Sequence, residues 1–283
     1  MRKKGRKPTT LKTVSDRLRL LATHCNILDP EEVKETLANI DWKNSTKNTA
    51  IADITPFYFF YGIKWNGKPH YQKEESLPFI PTEAEIDTLI ASAGKTYQAL
   101  LQLLKETGVR IGEAVNLQWS DYDSERKVIS VNQPEKGSKP RMLPITEKLR
   151  TMLGILPRTN KRIFPKKKHS YRVTFEALRN RITERTSNPR IKAIHFHTFR
   201  HYFGTMEYHK TKDLVHVQIC LGHREIKSTM VYINIEQALW MNSDDEWTSK
   251  VSHTIEEEIK LVNAGFELVR AVNETTTIYR KRK

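Results

Sequence analysis

Apolar residues recur along this chain in two rhythms, and the places where the rhythm changes divide it. From Leu11 to about Tyr71 the spacing is helical, with Leu18, Leu20 and Leu21 followed by Ile27 and Leu28. Asp29-Pro30-Glu31-Glu32 reads as a helix start, with Asp29 as N-cap and Pro30 as the first helical residue. A second start near Asn44-Ser45-Thr46 leads into an apolar run from Ile54 to Ile63. Residues 1–72 are therefore expected to form a small all-helical domain of roughly four short helices.

Residues 73–82 (KEESLPFIPT) read as a linker, polar first and then carrying two prolines. A new helix opens at Pro81-Thr82-Glu83-Ala84-Glu85, where Thr82 and Glu85 stand at capping-box spacing. Helical patterning runs on through Tyr97 to Glu106 and, after Thr107-Gly108, from Val109 to Leu117. The period then drops to two. Residues 127–131 and 142–145 read as strands joined by a turn over 134–140, a hairpin whose turn carries Lys136 and Lys139. Helices return afterwards, two of them separated by a basic loop at 161–172 (KRIFPKKKHSYR) that reads equally as solvated or as phosphate-contacting. Beyond Asp244 the character changes again: an amphipathic helix over 255–263, a stop at Gly265, and strands over 266–272 and 276–279. The expected fold is mainly α with a small antiparallel β-sheet. Its parts are a helical domain at 1–72, a linker at 73–82, and a second domain at 83–283 that includes a C-terminal tail, 250–283.

Composition narrows the class. With 283 residues, 38% hydrophobic and 29% charged, the chain has material for two cores. Lys and Arg number 48 against 33 Asp and Glu, a formal charge of +15 with pI near 9.7, which favours a polyanionic partner such as nucleic acid. Residues 2–7 (RKKGRK) form a basic arm, a solvated tail or a phosphate contact. Cys25 and Cys220 lie too far apart in sequence for a disulfide framework or a CxxC zinc pattern, so a reducing compartment is expected. No apolar run follows the N-terminal charges, and none is long enough to span a bilayer. A cytoplasmic, DNA-associated protein is the expectation.

The candidate chemistry gathers between Ile194 and Ile235. His197 and Arg200 stand one helical turn apart and share a face. Leu221-Gly222-His223 interrupts a helical pattern, and Tyr232 follows nine residues later. A phenol is a poor nucleophile near neutral pH because its pKa is about 10. It becomes useful where cations stabilise both the phenolate and a phosphorane-like transition state. Arginine suits that task, since its planar fork matches two phosphate oxygens. A second arginine, Arg110, lies in Thr107-Gly108-Val109-Arg110-Ile111-Gly112-Glu113, with Glu113 one turn on to fix its rotamer. Lys136 at a hairpin tip can protonate a leaving oxygen, and His197 and His223 offer hydrogen bonds or a proton shuttle. Singly, each of these residues reads more readily as a surface, salt-bridged or packing residue. Together their order and context point to phosphoryl transfer.

The motifs TGVRIGEAVNLQW, PEKGSKPRMLPI, HTFRH and LGHREIKSTMVYI resemble those of the tyrosine recombinases, the phage-integrase and Xer-type site-specific recombinases. The resemblance covers about residues 78–238, and residues 1–72 match that family's core-binding domain in character only. The tail departs from the shorter bacterial pattern and resembles one carried by some archaeal members. The family's catalytic set falls on Arg110, Lys136, His197, Arg200, His223 and Tyr232.

The resemblance implies a cofactor-free, metal-free transesterification. Tyr232 attacks a phosphodiester of double-stranded DNA, Arg110 and Arg200 clamp the non-bridging oxygens, His197 and His223 assist, and Lys136 protonates the 5′ oxygen. It further implies a homo-tetramer on two DNA sites, with the two domains closing round the duplex. A type IB topoisomerase, or a non-catalytic DNA-binding protein on the same fold, would carry similar motifs. A metal site from His195, His197 and His201 lacks a familiar zinc spacing. Cys220 reads as a buried core residue, and the tail is expected to dock on a neighbouring protomer.

Overall fold

The computed structural model describes residues 8–72, 76–240, 247–273 and 275–282, and separates into two compact units, residues 1–76 and 77–283. The basic arm at 2–7 and part of the 73–82 linker lie outside the described residues. In the first unit, helices α1 (Pro8–Ala22), α2 (Pro30–Asn39) and α3 (Asn44–Tyr61) enclose Leu21, Val33, Leu37, Ile51, Ile54 and Tyr58. Asp29 caps α2 by accepting from the backbone N–H groups of Glu31 and Glu32 at 2.9 and 3.4 Å. Among the described residues there are three helices here where roughly four were expected. The start expected near Asn44 is that of α3, which carries the apolar run from Ile54 through Pro56 and ends only at Gly62, whose φ of 68° suits glycine. An Arg17–Asp53 ion pair ties α1 to α3.

The second unit opens with α4 (Glu83–Ala91), started by the Thr82–Glu85 capping box, in which both reciprocal bonds form. Helix α5 (Lys95–Thr107) buries Leu100, Leu101, Leu103 and Leu104 completely, so it is apolar around most of its circumference and runs through the core. Helix α6 (Ile111–Asn116) leads to a three-stranded antiparallel sheet of β1 (Tyr122–Asp123), β2 (Val128–Val131) and β3 (Arg141–Pro144), in the order β1-β2-β3. The expected hairpin is β2–β3, registered Val128 to Pro144 and Val131 to Arg141. The two-residue β1 is too short to leave a periodic signal. Helices α7 (Glu147–Gly154), α8 (Lys168–Thr186) and the single turn α9 (Pro189–Lys192) follow. The basic loop is shorter than expected: it ends at Lys167, and Ile163 and Phe164 anchor it in the core.

Helices α10 (Phe196–Thr211), α11 (Leu214–Leu221) and α12 (Lys227–Trp240) carry the candidate chemistry. The tail has strand β4 (Trp247–Ser252), helix α13 (Ile255–Asn263), and strands β5 (Glu267–Asn273) and β6 (Thr276–Arg282), forming a second antiparallel sheet in the order β4-β6-β5. Strand β4 had no counterpart in the sequence reading, because WTSKVS alternates too weakly to stand out.

Candidate active site

Two helices end beside the candidate residues, α5 at Gly108 and α11 at Gly222, both in the left-handed conformation. Gly108 has φ 59°, and a Cβ there would lie 2.5 Å from the Phe203 ring and 2.9 Å from Leu221. That close approach brings Gly108 C=O to Arg200, whose Nη1 donates to it at 2.9 Å while Nη2 donates to Leu221 C=O at 2.7 Å. Arg200 is 2% exposed, and both its bonds go to backbone, so its position follows from the main chain rather than from a mobile partner. Burial, then the charge of Arg110, lowers its guanidinium to about 10, which leaves it charged at neutral pH.

Arg110 is half-buried at the N-cap of α6. Its Nη1 donates to Glu113 Oε1 at 3.2 Å and to Ser138 Oγ, and its backbone N–H donates to Glu113 Oε2 at 3.0 Å. Glu113 is buried, which alone would raise its carboxyl. The hydrogen bond and charge of Arg141, with Arg110, outweigh burial and hold it below the usual range. Arg141 has no local signal in the sequence, where it falls between the turn expected over 134–140 and the strand expected over 142–145. Its Nη2 donates to Glu113 Oε2 at 2.7 Å and its Nε to Cys220 C=O at 2.8 Å. Arg141 thereby joins the Arg110 segment, its own hairpin and the turn ahead of His223. The hairpin is further tied down by Lys139 N–H, which donates to Gly222 C=O at 3.3 Å.

Lys136 occupies the tip, exposed, in a turn closed by Ser138 N–H to Glu135 C=O at 3.1 Å. Both central residues have positive φ, 53° for Lys136 and 73° for Gly137, which makes it a type I′ turn. Asparagine would be favoured at the first of these positions. A lysine there costs about 1 kcal/mol of backbone strain, of the kind that persists at functional sites.

His197 shows surface to solvent, but the protein atoms crowding its ring, then Arg200, Arg110 and Lys136, hold its imidazole below 6.5. His223 is half-buried, and its Nδ1 lies 2.9 Å from Thr229 Oγ1, which fixes the ring. Burial, then Arg200 and Arg110, push His223 down to about 3. Both rings are neutral near pH 7. Tyr232, on α12, is 1% exposed and packs with Val217, Leu221 and Ile235. Its ring lies against Gly204 of α10, where a Cβ would come within 2.5 Å of Cζ. Burial pushes the phenol up to about 12, although Arg200 and Arg110 pull it back.

All six sequence candidates therefore lie on the α5–α6, hairpin, α10 and α11–α12 segments of one unit, with the charges of Arg110 and Arg200 acting on His197, His223 and Tyr232 alike. Such a site holds fixed cations, neutral imidazoles and a protonated phenol. That set suits a phosphodiester. The histidine metal reading fails: His195 N-caps α10 and contacts Arg179, and no group of three or more metal-ligating side chains occurs among the described residues. His201 sits with its ring 4.6 Å from that of His197 and 6.1 Å from Tyr232. Cys220 is half-buried rather than core, its Sγ 3.5 Å from His216 Nε2, and burial raises its thiol.

Residues 81–238, more than half of the chain, match the model of the phage integrase family. The chain is 29% identical over 172 residues to an integrase/recombinase of Sinorhizobium fredii, covering 59% of this chain and 56% of that protein. It is also 29% identical over 217 residues to tyrosine recombinase XerC of Staphylococcus haemolyticus, covering 68% of this chain and 71% of that one. The chain thus spans little more than half the length of the first relative and over two thirds of the second. Among solved structures it shares its fold with the Tn1549 transposon integrase in complex with transposon right end DNA. The TM-score is 0.63 at 18% identity, over 85% of this chain and 96% of that one.

Proposed function

We propose that this chain, which belongs to the phage integrase family of tyrosine recombinases, is a site-specific DNA recombinase that cuts and rejoins DNA through a 3′-phosphotyrosyl intermediate. The observation that carries this reading is the pairing of a buried phenol, Tyr232, with two arginines whose positions are fixed by backbone carbonyls and a buried carboxylate.

The scissile phosphate sits between Arg110 and Arg200, which bind its non-bridging oxygens and neutralise the charge that builds up as the phosphorus becomes five-coordinate. Tyr232 Oη forms the new bond to phosphorus, the bond from phosphorus to the 5′ oxygen breaks, and the phenolic proton passes to water or hydroxide. His197 and His223, neutral and close to the same charges, hydrogen-bond the phosphate and the phenol. Lys136 swings in from its turn and gives a proton to the departing 5′ oxygen, which leaves as a hydroxyl. The energy of the broken bond is kept in the phosphotyrosine, so a 5′-hydroxyl from a second duplex reverses the step without a nucleotide cofactor. Four copies on two sites exchange strands in pairs. Residues 1–72 supply the second half of the grip on DNA, with most contacts to phosphates. No helix among the described residues is long and apolar enough to cross a membrane, and the chain acts where its DNA lies.

The test is covalent trapping. A pool of nicked duplexes of roughly four helical turns and randomised sequence is incubated with wild type and with Tyr232→Phe, then run on a denaturing gel. A protein–DNA band for wild type alone is expected. A band that survives in Tyr232→Phe, or tight binding by wild type with no band, would overturn the reading.

A further inference from the structure

The C-terminal sheet is covered on one side and open on the other. On the face that carries Tyr279, helix α13 covers the β4–β6 side: Tyr279 and Leu261 are buried, Ser252 Oγ bonds Glu258 at 3.3 Å, and Phe266 lies 5.5 Å from Lys250 Nζ and 5.9 Å from Lys281 Nζ, while Leu268 on β5 stays exposed. The pairing register places a different set on the opposite face. Ser249 faces Arg280 and Arg280 faces Glu267; Val251 faces Ile278 and Ile278 faces Arg270; Thr276 pairs with Asn273. His253 Nδ1 extends the last row, 3.3 Å from Thr276 Oγ1. Ser249, Val251, His253, Glu267, Arg270, Asn273 and Arg280 are all exposed.

Charge is divided between the layers. Glu256, Glu257 and Glu258 crowd the first turn of α13, whereas the open sheet face carries two arginines against one carboxylate. The remaining groups are hydroxyls, an amide, an imidazole and two aliphatic side chains. These side chains make hydrogen bonds to base edges and phosphates, and apolar contacts to the thymine methyl. Size agrees as well. Three strands about 4.8 Å apart span about 10 Å, and the major groove of B-DNA is about 12 Å wide.

We infer that the open face of the β4-β6-β5 sheet is a second DNA-binding surface, seated in the major groove beside the cleaved bond and separate from the active site. The inference rests on the recombinase reading, because DNA is the polyanion the protein already engages. Strand β4 begins seven residues after Trp240, where α12 ends, so the sheet lies within about 25 Å of chain from the helix bearing Tyr232. The sheet therefore reads flanking base pairs within one helical turn of the cut. Charge complementarity favours DNA over the neighbouring protomer expected from the sequence.

The experiment compares full-length wild type, Arg270→Gln/Arg280→Gln, and Lys260→Gln, an exposed substitution in α13 that also removes positive charge from the tail. Binding to a mixed-sequence duplex of roughly four helical turns is titrated over a range of salt, and the complexes are footprinted with hydroxyl radicals. The double variant should bind about tenfold more weakly, with a salt slope shallower by one to two units. It should also lose protection at one flank while still forming the covalent Tyr232 complex. Lys260→Gln should bind as wild type. Wild-type binding and footprint in the double variant would overturn the inference, as would an equal loss in Lys260→Gln. Intact binding with failed assembly of several copies would assign the face to protein contact instead. Wild type that binds no DNA would sink the recombinase reading itself, a result distinct from these.

Discussion

The interior of the candidate site and the tip of its hairpin are built on opposite principles. Arg200 and Tyr232 are 2% and 1% exposed, locked by main-chain carbonyls and by a glycine that lets two helices touch. Lys136 is exposed, on a turn whose backbone it does not suit. The difference follows the separate tasks that the proposed reaction gives them. A charge that stabilises a transition state works best if it is fixed and dry before the substrate arrives, because no reorganisation is then needed. A proton donor that must reach a leaving oxygen needs access to DNA. The interior is therefore expected to be intolerant of any change, and the tip to be tolerant of everything except loss of its proton.

The largest effect should come from breaking the interior. Arg200→Ala removes the charge and leaves Gly108 C=O and Leu221 C=O buried without that donor, which costs roughly 1–3 kcal/mol of stability for each group left unpaired. Single-turnover cleavage on a nicked duplex should fall by about a thousandfold. Arg200→Lys should restore little, because one ammonium cannot reach two carbonyls and a phosphate together. If Arg200→Lys cleaved within about tenfold of wild type, burial and fork geometry would not be what this position requires.

Legibility in the sequence followed the same division. The six candidate residues were readable because each sits in a short local pattern: a helix-turn spacing for His197 and Arg200, a Gly stop ahead of Arg110 and His223, a strand-turn-strand for Lys136, and a short helical run nine residues after His223 for Tyr232. What holds them was not readable. Arg141 contacts Glu113 and Cys220, 28 and 79 positions away, and no local period reports a contact of that range. Nothing local in the sequence marks Gly204, although it is the gap that admits the Tyr232 ring. The division at residue 76 falls in a stretch whose prolines and charges marked it as a linker, whereas β1 and β4 were too short or too weakly alternating to register.

Arg141 links the two regions, and loosening it should cost less than losing Arg200. Its bonds to Glu113 and Cys220 C=O hold the hairpin against the turn at Gly222, so in the proposed reaction it positions Lys136. Arg141→Met should slow cleavage by about ten- to a hundredfold through weaker general-acid catalysis. The diagnostic is a duplex with sulfur in place of the bridging 5′ oxygen. A thiol has a pKa of about 8.5, so a thiolate leaves without a proton. Lys136→Ala should recover almost fully on this substrate, Arg141→Met in large part, and Arg200→Ala hardly at all. Were Arg141→Met no better on sulfur than on oxygen, relative to wild type, its effect would run through Arg110 or the fold.

The smallest effect separates the regions by pH. In the folded protein His223 titrates at about 3 and His201 at about 4, both pushed down first by burial, while an unfolded histidine titrates near 6.5. Below pH 6.5 the unfolded chain therefore binds protons that the folded interior refuses, and stability falls as pH drops from 6.5 towards 4. Above 6.5 both states are neutral at these rings and their contribution is flat. Urea midpoints measured from pH 7.5 down to 4.5 should fall, and His223→Asn should flatten part of that decline. Cleavage behaves differently. With the imidazoles already neutral and the phenol held up to about 12, the single-turnover rate should climb steadily between pH 6 and 9 as hydroxide draws more phenol into the reactive form. A bell with its acid limb near 6.5 would mean that an interior histidine titrates normally, and that the interior is wetter than its burial implies.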